Sequence, residues 1–234
     1  MLVEWLRCVP FTDETRGSIP LQAICIIEDM KIFFDVGAER GTDSIPLAKT
    51  NPDVLFYVFE PNPYMVEHLK KESSGLSNYI IIPKAVSNYN GVSNFNINKF
   101  GPVGVSSLLE YSEKAKENWR GFALNVDEKV DVEVITLDTF IHDNNIKKID
   151  FFHCDTQGSD LNVLKGLGDY IHIIEEGQVE AAILNESLYV NQNTYQETML
   201  FLASKGFEIL SMKAEGNQRE CNLHFKKSSL SFSI

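Results

Sequence analysis

The sequence predicts an α/β fold, a mostly parallel sheet with helices on both faces. Three observations carry this expectation. Short continuous apolar runs, such as Val54-Leu55-Phe56-Tyr57-Val58-Phe59, suit strands covered on both sides. Turn residues and then helix-forming residues follow these runs, so strand and helix alternate. The alternation extends along most of the 234 residues, a length that suits one α/β domain with a full core.

The elements follow in order. Ser18 to Met30 reads as a leading helix, so residues 1–30 form an N-terminal extension packed on a main domain of residues 31–234. Lys31 to Val36 is the first strand, and Asp35 lies at its end. Gly37 and Gly41 suit a tight turn where backbone approaches a ligand closely. A helix over Thr42 to Lys49 places a helix N-terminus there, suited to polar or anionic groups. The three-glycine dinucleotide fingerprint is missing, which disfavours a nicotinamide-dependent oxidoreductase.

Val54 to Phe59 is the second strand and ends in Glu60-Pro61-Asn62-Pro63. The prolines stop it and start a helix through Ser73. Glu60 stands where nucleotide-binding α/β folds hold ribose hydroxyls, roughly 20 residues past the glycine turn. Its alternative roles are to cap the helix or to face water. Tyr79 to Pro83 is the third strand.

The alternation then breaks. Gly91 to Asn98 reads as a hairpin arm, and Phe100 to Glu128 as an insertion or lid spanning about residues 98–129. Val130 to Thr136 and Ile149 to Cys154 are further strands, the latter delivering Asp155 to its C-terminal end. Asp155 has a second reading as an acceptor for backbone N–H groups at the start of the Ser159 to Leu167 helix. Val179 to Leu184 is a strand, Thr194 to Ser204 a helix stopped by Gly206, and Phe207 to Met212 with Cys221 to Phe225 a terminal pair.

The net charge of −12 argues against a nucleic-acid partner and favours a small neutral or glycan acceptor. No apolar run is long enough for a membrane span, and the four scattered cysteines suit a reducing, cytoplasmic compartment. The oligomeric state is not legible.

Asp35-x-Gly37-x-x-x-Gly41 resembles the first motif of S-adenosylmethionine (SAM) dependent methyltransferases. Further pieces narrow the likeness: Phe59-Glu60-Pro61-Asn62-Pro63, Ala85-Val86-Ser87, Ser106-Ser107-Leu108, Val134-Ile135-Thr136-Leu137-Asp138, Asp155-Thr156-Gln157-Gly158 and Leu164-Lys165-Gly166. Taken in order, they resemble the FkbM family. The resemblance implies a Rossmann-like class I methyltransferase fold, seven-stranded with an antiparallel terminal strand, and O-methylation, often of sugar or polyketide hydroxyls.

It also implies roles. Asp35, Gly37, Ala38, Glu39 and Gly41 would lie at the methionine end of SAM, Glu60, Pro61 and Asn62 at the ribose, and Ala85 and Val86 at the adenine. Asp155 would stand beside the methyl group as the first candidate base. Glu39 departs from the family's common Asn. His153 is the second candidate base, with a buried neutral state as its other reading. Acceptor contacts are expected from Ser106, Ser107, Tyr111, Trp119, Glu186 and Tyr189, with packing as the other reading of Tyr111 and Trp119. A Mg²⁺ site from Asp155, Glu180 and Glu186 is a further expectation. A non-catalytic SAM- or nucleotide-binding module would share these motifs.

Overall fold

The computed structural model describes residues 30–99, 104–118, 124–183, 188–216 and 219–229. Its main sheet has seven strands in the order β3-β2-β1-β7-β8-β10-β9. They are β1 (Lys31–Val36), β2 (Val54–Phe59), β3 (Tyr79–Ile82), β7 (Phe151–Cys154), β8 (Glu176–Ala182), β9 (Phe207–Ala214) and β10 (Glu220–Lys227). Only β10 runs against its neighbours, pairing antiparallel with both β8 and β9. The expected seven-stranded sheet and antiparallel terminal strand are thus present.

Strand pleating splits the apolar runs between two layers. Phe34, Val36 and Phe152 point into the larger core, with Leu137, Phe140 and Ile141 of α4 (Leu137–Asp143), Val163 and Leu164 of α5 (Asp160–Lys165), and Leu202 of α6 (Tyr195–Ser204). Phe56 and Val58 point the other way, onto Ile45 and Ala48 of α1 (Ser44–Thr50) and Leu69 of α2 (Pro63–Glu72). The helix starts are built locally. Asn62 accepts the Tyr64 N–H with Pro63 in the first turn of α2, and Thr194 and Glu197 form a capping box at α6.

The break in alternation has a physical cause. Residues 85–135 contribute a second sheet, order β4-β6-β5, from β4 (Ala85–Val86), β5 (Gly91–Ile97) and β6 (Glu128–Ile135). Val132 and Val134 of β6 are buried with Phe95 and Ile97, while Lys129, Asp131 and Glu133 face outward. A sheet covered on one face alternates in this way. Between β5 and β6 lies α3 (Glu113–Asn118). The predicted helix over Ser18 to Met30 lies outside the described residues, except Met30, which forms a bend.

Candidate active site

From β1 the chain runs outward to β2 and β3, then returns across β1 to β7. That reversal opens a crevice at the C-terminal ends of the strands. A cavity of about 360 Å³ occupies it.

The glycine turn forms one wall. Gly37 has φ +88, and a Cβ there would sit 1.9 Å from the Asp155 carbonyl oxygen. The turn is therefore pressed against the end of β7. Ala38 and Glu39 line the cavity. Gly41 does not, which corrects its expected ligand contact. Its φ is +69, and a Cβ would lie 2.7 Å from Ile45 Cδ1 and 2.8 Å from Leu69 Cδ2, so it allows close packing of α1 and α2.

Glu60 is buried at the end of β2, and both its oxygens are engaged. Oε2 accepts the Glu39 N–H and Oε1 the Asn62 N–H, each at 2.7 Å. Burial pushes its pKa up to about 7, with the two N–H donors opposing that rise. Each oxygen keeps a lone pair for a hydroxyl in the cavity. Capping of α2 belongs to Asn62, not Glu60. Pro61, Asn62, Ala85 and Val86 complete this end.

His153 Nδ1 donates to Asp35 Oδ1 at 2.9 Å, across neighbouring strands β7 and β1. Burial alone would lower the histidine's pKa. The Asp35 hydrogen bond and charge, helped by Asp155 and Asp43, outweigh it and raise the pKa to about 9. The expected neutral core histidine is thus corrected to an imidazolium at neutral pH, which cannot serve as a base while it holds that proton. Because the folded pKa exceeds the ordinary 6.5, the pair's stabilisation is complete below about pH 6.5 and is lost as pH rises through about 9. A shift of this size corresponds to about 3 kcal/mol. Denaturant titrations of wild type and His153→Gln should show the wild-type advantage shrinking by about that amount between pH 6 and 10. An advantage constant across this range would show that the pair does not titrate as described.

Asp155 projects from the end of β7. Its Oδ1 accepts Gln157 Nε2 at 2.8 Å, and Oδ2 has no hydrogen-bond partner among the described residues. The loop-capping role belongs to Asp160, which accepts the Thr156 N–H at 2.8 Å and the Gly158 N–H at 3.2 Å. Gln157 and Asp160 were not anticipated as site residues. Gln157 has φ +55, joins Asp155 to Glu180, and accepts the Tyr189 hydroxyl at 2.8 Å. The signal in the sequence was its place before Gly158, where a left-handed turn aims the side chain back at Asp155.

The acceptor expectations divide. Ser106 lines the cavity. Ser107 does not: its buried hydroxyl donates to the Gln157 carbonyl at 2.7 Å. Tyr111 and Tyr189 are also corrected. Their rings stack at 5.6 Å and both hydroxyls reach the Val105 carbonyl, so they brace the wall from behind. Trp119 and Glu186 lie outside the described residues. Of the expected metal set, Glu186 lies outside the described residues; the carboxylates that converge among the described residues are Glu180, Glu215 and Glu220, within 4.8 Å of one another. Glu215 and Glu220 flank the β9–β10 turn, so only the strand pairing shows that they reach the cavity.

A sheet with one antiparallel strand, a glycine turn after β1 and a carboxylate after β2 is the arrangement expected of SAM-dependent methyltransferases. Residues 35–209 match the methyltransferase FkbM domain, and the chain belongs to that family. Ribosomal RNA small subunit methyltransferase G of Helicobacter pylori (strain HPAG1) is 29% identical over 138 residues, covering 57% of this chain and 78% of the relative. The 2-O-methyltransferase NoeI of Sinorhizobium fredii is 23% identical over 137 residues, covering 58% of this chain and 56% of that protein. M. capricolum TrmK, solved with S-adenosyl-homocysteine, aligns with TM-score 0.45 and 13% identity over 93% of this chain and 73% of its own. No helix among the described residues is long and apolar enough to cross a membrane.

Proposed function

We propose that this chain is a SAM-dependent O-methyltransferase acting on a hydroxyl of a sugar, glycan or related small molecule. The observation that carries the proposal is Asp155. Its carboxylate enters the cavity with one oxygen held by Gln157 and the other without a partner among the described residues, next to the glycine turn.

When bound, SAM supplies a methyl group activated by a sulfonium. Asp35, Gly37, Ala38 and Glu39 would surround its methionine end, Glu60 its ribose diol, and Ala85 and Val86 its adenine. The free oxygen of Asp155 would orient the acceptor hydroxyl and take its proton, a contribution of roughly 10² to 10⁴ in rate. His153 would hold Asp35 in place rather than act as the base. A ribosomal RNA acceptor, suggested by the Helicobacter relative, is disfavoured by the walls. Eight carboxylates line the cavity against Lys84 and His153, and each of those two is already paired with an acidic residue. Phosphates would be repelled there.

Incubation with labelled SAM and parallel panels of hydroxylated glycosides and ribosomal RNA tests the proposal. Label in the glycosides supports it, whereas label only in RNA overturns the acceptor class, and label in neither favours a non-catalytic module. Glu60→Ala should weaken SAM binding by roughly 1.5–3 kcal/mol, the worth of charge-assisted hydrogen bonds. Calorimetry returning wild-type affinity for a folded Glu60→Ala would remove the ribose assignment.

A further inference from the structure

Beyond Asp155, the cavity continues past β7 to Glu180 on β8, Glu220 at the start of β10 and Glu215 after β9. Resting on the methyltransferase proposal above, we propose that the acceptor carries a protonated amine, received by Glu180, Glu215 and Glu220 beside the hydroxyl to be methylated.

The first support is position. SAM brings cationic groups of its own, but the residues assigned to it lie on β1, β2 and β4. β8 and β10 are two and three strand spacings from β1 in the sheet order, about 10 and 14 Å away. The three glutamates therefore face whatever enters beyond Asp155. The second is an unmet valence. Glu180 is 2% exposed and receives one long hydrogen bond, 3.4 Å from Gln157 Nε2 to Oε2. Its Oε1 has no hydrogen-bond partner among the described residues, and the side chain lines the cavity. That oxygen opens onto the cavity and is available to a donor there. An ammonium, with three donors, matches an oxygen in this state.

The third support is how the other two carboxylates are held. Asn222 Nδ2 donates to Glu215 Oε1 at 3.0 Å, and Gln192 Nε2 to Glu220 Oε1 at 3.2 Å. The neutral Asn222 amide orients Glu215 without cancelling its charge. Burial and the nearby Asp155 and Glu220 charges push the Glu180 pKa well above the ordinary carboxylate range, and a cation bound among the three groups would favour its ionised form.

Calorimetry on the full chain saturated with S-adenosyl-homocysteine tests the proposal. The probes are ethanolamine, glucosamine and galactosamine, each against its hydroxyl counterpart: ethylene glycol, glucose and galactose. At least one amine should bind about tenfold or more tighter than its counterpart, the gain expected from a charge-assisted contact. Glu215→Gln, at a half-buried position that tolerates substitution, and the isosteric Glu180→Gln should each remove most of that preference while keeping S-adenosyl-homocysteine affinity. Equal binding of amines and hydroxyl counterparts, or no binding by any amine, overturns the proposal. So does stoichiometric Mg²⁺ binding that Glu215→Gln abolishes, which would make the cluster a metal site. Failure to bind S-adenosyl-homocysteine would instead overturn the methyltransferase assignment on which the proposal stands.

Discussion

Asp155→Asn should lower methyl transfer by at least about a hundredfold while leaving the protein folded, in line with the loss of a general base. The substitution keeps the shape of the side chain and an oxygen for Gln157 Nε2, so the loop geometry persists. It removes the negative charge and the oxygen proposed above to take the acceptor's proton. Thermal stability should stay near wild type, because the hydrogen bonds that close the loop run to Asp160 and not to Asp155. Initial rates on the acceptor found by the glycoside panel, paired with circular dichroism melts, separate the two effects. A folded variant with wild-type turnover would leave Asp155 without a chemical role.

Gly37→Ala should have the largest effect on stability. A Cβ would overlap the Asp155 carbonyl oxygen at 1.9 Å and crowd the Thr156 nitrogen at 3.3 Å, in a backbone with φ +88. The left-handed conformation costs roughly 1–2 kcal/mol for alanine. Forcing two backbones apart adds at least as much as overpacking a core, about 1–3 kcal/mol. Together these are a large part of a typical domain's 5–15 kcal/mol. Gly206→Ala is the control. Gly206 has φ +83 with nothing within 4 Å of its Cβ position, so only the backbone term applies. Chemical denaturation should rank Gly37→Ala well below Gly206→Ala, and equal stabilities would mean that the glycine turn and β7 can separate at little cost.

The placement of the acidic groups refines what global charge alone says about partners. The net charge of −12 argues against a broad basic surface without excluding a local basic groove. The fold then gathers eight carboxylates around one cavity. Local concentration, more than the total, sets what can enter.

The sequence by itself determined the features that depend on neighbours along the chain. The apolar runs from Phe33 and Val54 specify buried strands because every residue in them must face a covered layer. Asp35, Gly37 and Glu60 were legible because each sits at a fixed offset from a strand end, and topology carries strand ends to one edge of the sheet. Asn62-Pro63 and Thr194 to Glu197 announce helix starts, which are local hydrogen-bonding problems.

Only the tertiary structure decided features that depend on which strands become neighbours. The charge of His153 follows from β7 lying beside β1, which brings Asp35 to 2.9 Å. Whether Gly41 meets ligand or packing depends on α2, contributed by the following strand–helix unit. Tyr111 and Tyr189 read in the sequence as acceptor contacts. They become bracing for the cavity wall because distant segments stack them together. Glu180, Glu215 and Glu220 belong to three separate stretches, and they converge because β10 inserts antiparallel between β8 and β9. Side-chain periodicity reports which face a residue occupies, but not which residue will stand opposite it, and the chemistry at the β8–β10 end of the cavity depends on that second fact.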